Sequence, residues 1–194
     1  NVKTISDYMF TGVKMESLTI PGSVTTIGND VFNGCDQLTS LTFEPSPTNA
    51  ALTIGWNTDG TDEGLFVDCP LQTVNLNRQL NYAIASEDLD EDVVPFAEKS
   101  LGNGVTLGEQ VHTLLPYMFS NSGITSLKIP ATVEEIKDNV FYNCESLASV
   151  RFESGTEPLT IGFQPGSNER GPFYQSPLTN IYVNRELVAS ESYA

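Results

Sequence analysis

Apolar and polar side chains alternate over short stretches of this chain. In the stretch SLTI, Leu18 and Ile20 alternate with Ser17 and Thr19, the period of a β-strand with one buried face. Pro21 then ends the strand. Residues 24–27 begin a second short extended piece, and residues 28–35 place polar side chains ahead of apolar ones. That order predicts a capped single turn of α-helix or 3₁₀-helix.

The whole pattern returns later in the chain. Residues 8–44 match residues 117–153 at an offset of 109, and residues 52–55 match residues 159–162 at an offset of 107. Such self-similarity is the signature of a repeat architecture. It predicts a single solenoid over residues 1–194, with homologous halves at about 5–82 and 114–189 joined by a linking repeat and acidic loop at 83–113.

A smaller unit recurs inside each half and ends on a phenylalanine. Successive phenylalanines are 22 to 34 residues apart, so we expect about seven turns, the longer ones carrying insertions. No turn buries its apolar side alone, so stacked turns share one core. The expected strand ladder is Leu18, Leu41, Val74, Val105, Leu127, Val150 and Ile181, and the second ladder is Phe10, Phe32, Phe66, Phe96, Phe119, Phe141 and Phe173.

The run SLTIPGSVTTIGNDVFNGCDQL at residues 17–38 resembles the BspA-type leucine-rich repeat. The resemblance implies a strand-dominated α/β fold, a right-handed solenoid or horseshoe with short helical or 3₁₀ segments. It also implies a bacterial surface or secreted protein, some of whose relatives bind host matrix or plasma proteins. The long turns at 45–51, 56–64, 83–94 and 164–171 depart from the plain family pattern.

Charge limits the classes of partner. Twenty-five acidic and nine basic side chains give a formal net charge of −16, which repels phosphate backbones and anionic lipid. We therefore expect neither a nucleic acid nor a membrane as partner. Residues 1–9 lack the basic and apolar regions of a signal peptide.

Outward-facing strand positions form the main candidate binding site. One column contains Thr19, Thr42, Asn75, Thr106, Lys128, Arg151 and Tyr182. Solenoids bind ligands along such faces. Lys128, Arg151 and Tyr182 make a local basic and aromatic spot of the kind that anchors protein partners. The alternative is an ordinary Ser/Thr-rich sheet face.

The insertions contain further candidates. Trp56 aligns with Phe163, so an aromatic stands at that place in both halves; it either packs the loop or contacts a sugar or protein partner. Residues 57–64 are oxygen-rich like a calcium loop, but their spacing favours a solvated turn. The acidic run at 87–92 is expected to be an exposed loop, so no metal site or cofactor is predicted.

Some polar and sulfur-containing residues are better explained by structure. Arg78 and Arg185 follow a strand in both halves, each after an Asn, where the arginine could pair with a carboxylate. Cys35 and Cys69 occupy the same repeat position on neighbouring turns and Cys144 occupies it in the second half. We expect small buried side chains there and not a Cys35–Cys69 disulfide.

The sequence contains no recognisable catalytic set. His112 is the only histidine, there is no HExxH motif, and no glycine-rich phosphate loop lies between a strand and a helix. Together with what the BspA-type resemblance implies, this leads us to expect a non-catalytic extracellular or cell-surface module that recognises a protein partner, with a glycan as a further possibility. The alternatives are a structural spacer within a larger surface protein and a carbohydrate-acting enzyme.

Overall fold

The computed structural model describes residues 2–55, 65–83, 94–164 and 170–191. The chain alternates between two faces, and all strands on each face run parallel to their neighbours. The strands of the first face are β2 (Ser17–Ile20), β4 (Ser40–Phe43), β6 (Thr73–Leu76), β8 (Val105–Leu107), β10 (Ser126–Ile129), β12 (Ser149–Phe152) and β14 (Asn180–Val183). Those of the second face are β1 (Thr4–Ile5), β3 (Thr26–Ile27), β5 (Leu52–Ile54), β7 (Leu80–Tyr82), β9 (Thr113–Leu114), β11 (Glu135–Ile136), β13 (Leu159–Phe163) and β15 (Leu187–Glu191).

The predicted ladder of inward-facing strand residues is present along the first face. Leu41 pairs with Leu18 on one side and with Val74 on the other, and Val150 does the same between Leu127 and Ile181. The central members are buried, because each is covered by a turn on both sides. At the C-terminal end Ile181 is 56% exposed, since the described residues place no further strand beyond β14.

The phenylalanines form the second predicted ladder. Neighbouring ring centroids lie 5.2 to 6.1 Å apart with interplanar angles of 3° to 20°, from Phe10 to Phe173. Offset parallel rings of this kind bury a large apolar area and keep a favourable quadrupole arrangement. The stack therefore runs through the core from turn to turn and packs with the inward-facing strand residues.

The fold is strand-dominated, as predicted, but the connecting segments are turns, which corrects the predicted helical or 3₁₀ segments and with them the α part of the class. Residues 28–35 form no helix, nor do the other described residues. Asp30 has a φ of 50°, which interrupts any helical run. The backbone carbonyls of Asn29, Val31 and Asn33 accept hydrogen bonds from the preceding turn of the solenoid at 2.8 to 3.0 Å. Within the segment, Asn33 N donates to the Asp30 carbonyl and Cys35 N to the Phe32 carbonyl, as in isolated turns and not in a continuous helix.

The regular pairing of strands is interrupted on both faces near the linking repeat. On the second face β7 ends one sheet and β9 begins the next; on the first face the same is true of β8 and β10. A single parallel bridge between Gly102 and Ile124 joins the two sides of the first-face break. The handedness, the count of about seven turns and the domain limits stay predictions.

Candidate ligand-binding face

The predicted outward column lies in register along the first face. Thr42 pairs with Thr19 and Asn75, and Asn75 pairs with Thr106. Beyond the break, Arg151 pairs with Lys128 and Tyr182. Successive strands present the same side of the pleat, so these side chains form two exposed or half-buried rows on one surface.

The first row is linked by its own hydrogen bonds. The Asn75 amide Nδ2 donates to Thr42 Oγ1 at 3.2 Å, and Thr106 Oγ1 donates to Asn75 Oδ1 at 2.7 Å. Cross-strand polar pairs of this kind stabilise a sheet. This row has the properties of an ordinary polar sheet face, and its contacts alone do not indicate a ligand.

The second row combines charge with an aromatic ring. Lys128 Nζ lies 2.6 Å from Glu153 Oε1, so the lysine charge is largely balanced within the protein. Arg151 Cζ lies 5.9 Å from the centroid of the Tyr182 ring, and Tyr182 is 52% exposed. The basic and aromatic spot predicted from the sequence thus reduces to Arg151 stacked over Tyr182, a cation–π pair in contact with solvent.

A small cavity opens where the first face is interrupted. It has a volume of about 250 Å³ and is lined by Val105, Thr106, Leu107, Lys128, Pro130 and Glu153. Two of the predicted site residues, Thr106 and Lys128, therefore come together at one concave feature. We name this cavity the junction pocket. The sequence showed only that the linking repeat has no counterpart in the duplication, which does not predict a cavity.

A second surface was not predicted. The rings of Tyr142 and Tyr174 stack with centroids 6.0 Å apart, and Arg170 Cζ lies 5.8 and 5.2 Å from their centroids. The positions equivalent to these tyrosines in the first half are Asn33 and Val67. Comparison of the two halves could have revealed this difference, because the shared backbone does not require tyrosine there.

The buried arginines hold the turns together. Arg78 is fully buried and donates to the carbonyls of Val24 at 2.8 Å, Ala50 at 3.0 Å and Gly22 at 3.4 Å. Arg185 donates to the carbonyls of Ala131 and Val133 in the second half. Burial lowers the pKa of both guanidinium groups.

The structural role predicted for these arginines is therefore confirmed. Among the described residues neither guanidinium pairs with a carboxylate, and both side chains instead reach backbone carbonyls two turns away. A guanidinium presents several donors in a fixed fork, so one side chain can satisfy the carbonyls of adjacent turns.

The cysteines are free and buried, as predicted. Cys35, Cys69 and Cys144 each direct the thiol to the carbonyl of a phenylalanine one turn earlier, at 3.0 to 3.2 Å. Ser176 makes the equivalent contact with Phe141 at 2.7 Å. Burial raises the pKa of all three thiols, that of Cys69 to about 12, which opposes thiolate chemistry.

His112 lies on the surface, as expected. Its Nδ1 is 3.2 Å from the Thr132 carbonyl oxygen and 3.6 Å from Glu134 Oε1. In the described part of the chain no group of three or more His, Cys, Asp and Glu side chains is arranged to hold a metal ion. Trp56, the oxygen-rich turn at 57–64 and the acidic run at 87–92 lie outside the described residues.

Within the described ranges, no helix has the length and apolar character needed to cross a membrane.

Comparison with known proteins identifies the repeat. Neither the curated proteins nor the solved structures contain a match to the chain. The family model of the BspA type leucine rich repeat region matches 6 copies, over residues 3–86 and 95–194. With parallel strands stacked turn upon turn over the same residues, this chain belongs to the BspA-type leucine-rich-repeat family.

Proposed function

We propose that this chain is a non-catalytic binding module that recognises a protein partner through the second row of the first face, around Lys128, Arg151 and Tyr182. The observation that carries the proposal is the solvent-exposed stack of Arg151 on Tyr182. Arginine and tyrosine are the residue types enriched where binding energy concentrates. The family resemblance supports an extracellular or cell-surface location and a host matrix or plasma protein as partner.

The scaffold favours recognition through this row. Arg151 lies on β12, whose inward neighbours Val150 and Phe152 belong to the core, and β12 pairs with the strand β14 that carries Tyr182, so little backbone entropy is lost at Arg151 when a partner binds. The described residues also offer little for catalysis, because the thiols are buried and His112 faces a carbonyl and a carboxylate at the surface. Recognition is therefore the function that this geometry supports best.

The test is an array of matrix proteins, plasma proteins and glycans probed with the purified chain, followed by affinity measurements on each hit. The double variant Arg151→Ala/Tyr182→Ala should weaken binding by at least about tenfold, which corresponds to about 1.4 kcal/mol. Thr19→Ala is the matched control, since Thr19 is an exposed member of the same column in the other half.

Loss of binding in the double variant but not in Thr19→Ala supports the proposal, provided both variants keep the wild-type circular dichroism spectrum. Equal binding by all three proteins would contradict the assignment to this face and would point to the insertions. An array without any hit would contradict the binding function itself and favour the spacer role.

A further inference from the structure

A surface of aromatic and basic side chains lies outside the strands of the first face. It consists of Tyr142, Tyr174 and Arg170, all half-buried, and we name it the tyrosine–arginine patch. The rings of Tyr142 and Tyr174 stack at an interplanar angle of 10°, and Tyr117 meets Tyr142 at 81° with ring centroids 6.4 Å apart. Offset stacking and edge-to-face contact are both favourable, so each ring is held by its neighbour.

The backbone that carries the patch is also fixed. The carbonyls of Tyr142 and Tyr174 accept backbone hydrogen bonds from the previous turn of the solenoid. Gln164 N donates to the Arg170 carbonyl at 3.0 Å, and these two residues form an antiparallel bridge. Side chains on such a support lose little backbone freedom when a ligand binds.

The fold does not require these three side chains. In both halves, a backbone N–H of the previous turn donates to the carbonyl of the residue that follows the phenylalanine. This residue is Asn33 or Val67 in the first half and Tyr142 or Tyr174 in the second, and all four bonds measure 2.8 to 2.9 Å. Arg170 aligns with Glu63 of the first half at the offset of 107. Since the same turn forms without the tyrosines, their presence in the second half calls for a role other than shaping the backbone.

The patch offers hydrogen-bond donors that the described residues leave unused. In that part of the chain the Lys and Arg side chains that pair with carboxylates are Lys14, Lys128 and Lys137. No hydrogen bond there engages the Arg170 guanidinium or the hydroxyls of Tyr142 and Tyr174. A guanidinium presents five N–H donors in one plane and no acceptor. The patch therefore fits an oxyanion, and a carboxylate can accept two parallel hydrogen bonds from the guanidinium fork.

The geometry favours a carboxylate from a protein over one from an acidic sugar. A sugar stacks on an open aromatic face, but Tyr142 and Tyr174 each turn one face to the other ring, and the Arg170 guanidinium lies beside both. Arginine and tyrosine are the residue types that concentrate binding energy at protein interfaces. The net charge of −16 repels a dense run of acidic residues. A single acidic residue among neutral ones avoids most of that repulsion.

We propose that the tyrosine–arginine patch is a second interaction surface, which binds the carboxylate of one Asp or Glu side chain in an otherwise uncharged segment of a protein partner. Arg170 donates two parallel N–H bonds to that carboxylate, and the hydroxyls of Tyr142 and Tyr174 bond to polar groups beside it. The surface does not depend on the assignment of the first face, so either can fail without the other.

The experiment uses the complete chain and three probes. The first is the peptide Thr-Phe-Glu-Phe-Thr with blocked termini, and the second carries Gln in place of Glu. The third is a tetrasaccharide of alternating glucuronic acid and N-acetylglucosamine. Binding is followed by ¹⁵N–¹H NMR titration, which detects millimolar affinities. The Glu peptide should shift the backbone signals of Tyr142, Tyr174 and Arg170, and the Gln peptide should bind at least about tenfold more weakly.

Three variants test the residues of the patch. Arg170→Gln should weaken binding of the Glu peptide at least about tenfold. Lys3→Gln is the matched control, because it also removes one positive charge from an exposed side chain and should bind as the wild type does. Tyr142→Asn/Tyr174→Val introduces the residues that the first half carries at the same turn, so the fold should be kept while binding weakens.

Each outcome supports or overturns the proposal. Equal binding of the Glu and Gln peptides, equal binding by Arg170→Gln and Lys3→Gln, or no shifts in the wild-type chain would overturn the carboxylate site. Wild-type affinity in the double tyrosine variant would remove the tyrosines from it. Binding of the tetrasaccharide without binding of the Glu peptide would overturn the protein source. The Arg151→Ala/Tyr182→Ala array still judges the proposed function, because it does not use these probes.

Discussion

Arg78 offers the most direct test of how the turns are held together. Its guanidinium group reaches the carbonyls of Gly22, Val24 and Ala50, on two different connecting segments. Arg78→Ala removes these donors and leaves a cavity. A buried acceptor without a partner costs about 1–3 kcal/mol, whereas removing a buried charge that lacks a carboxylate partner recovers part of that loss.

The net loss in the free energy of unfolding should therefore be about 3 kcal/mol. With a urea m-value of about 2–3 kcal/mol per M for a chain of this size, the unfolding midpoint should fall by about 1 M. Circular dichroism follows the transition, and hydrogen exchange at residues 22–27 shows whether the loss begins at the turns that Arg78 holds.

Two further variants make the reasoning refutable. Arg78→Met keeps most of the volume but supplies no donor, so it should also destabilise the protein. Arg185→Ala should cost less, because Arg185 contacts two carbonyls and its turn is covered on one side only among the described residues. If Arg78→Met is as stable as the wild type, the carbonyl contacts contribute nothing net and the argument fails.

The remaining predictions concern the core. Burial raises the pKa of Cys69 from 9.0 to about 12; a thiol with a raised pKa stabilises the fold fully below pH 9, and this contribution is lost as the pH rises from about 9 to 12. Cys69→Ser should keep the contact to the Phe32 carbonyl, as Ser176 does with the Phe141 carbonyl at its own turn. Between about pH 8 and pH 11 its free energy of unfolding should therefore fall by less than that of the wild type. Urea titrations at these two pH values test this, and an equal fall in the two proteins would contradict it. Phe66→Ala should cost about 3–5 kcal/mol because its ring is stacked on both sides, and Phe10→Ala clearly less because Phe10 is half-buried at the end of the stack. Similar urea midpoints for the two alanine variants would show that position along the stack is unimportant.

Several parts of the candidate site were predictable and others were not. The columns of outward residues follow from the period of two along each strand, so the repeat pattern alone places Arg151 and Tyr182 side by side. It does not reveal the partner of Lys128, because Glu153 lies beyond the paired residues of the next strand and its rotamer decides whether the charges meet. The tyrosine pair with Arg170 likewise depends on where an insertion returns to the solenoid.

The sequence by itself determined the repeat, the two ladders of the core and the burial of the cysteines, since these depend on periodicity that each turn repeats. Only the tertiary structure decided that the connecting segments are turns, because their backbone groups bond to the neighbouring turn and not within a helix. It also decided where the sheets separate. On the second face the side-chain amide of Gln79 bonds to the backbone of His112 and Thr113 across the gap between β7 and β9, whereas the junction pocket lies where β8 and β10 separate, because these contacts depend on how side chains meet between turns and not on the repeat pattern.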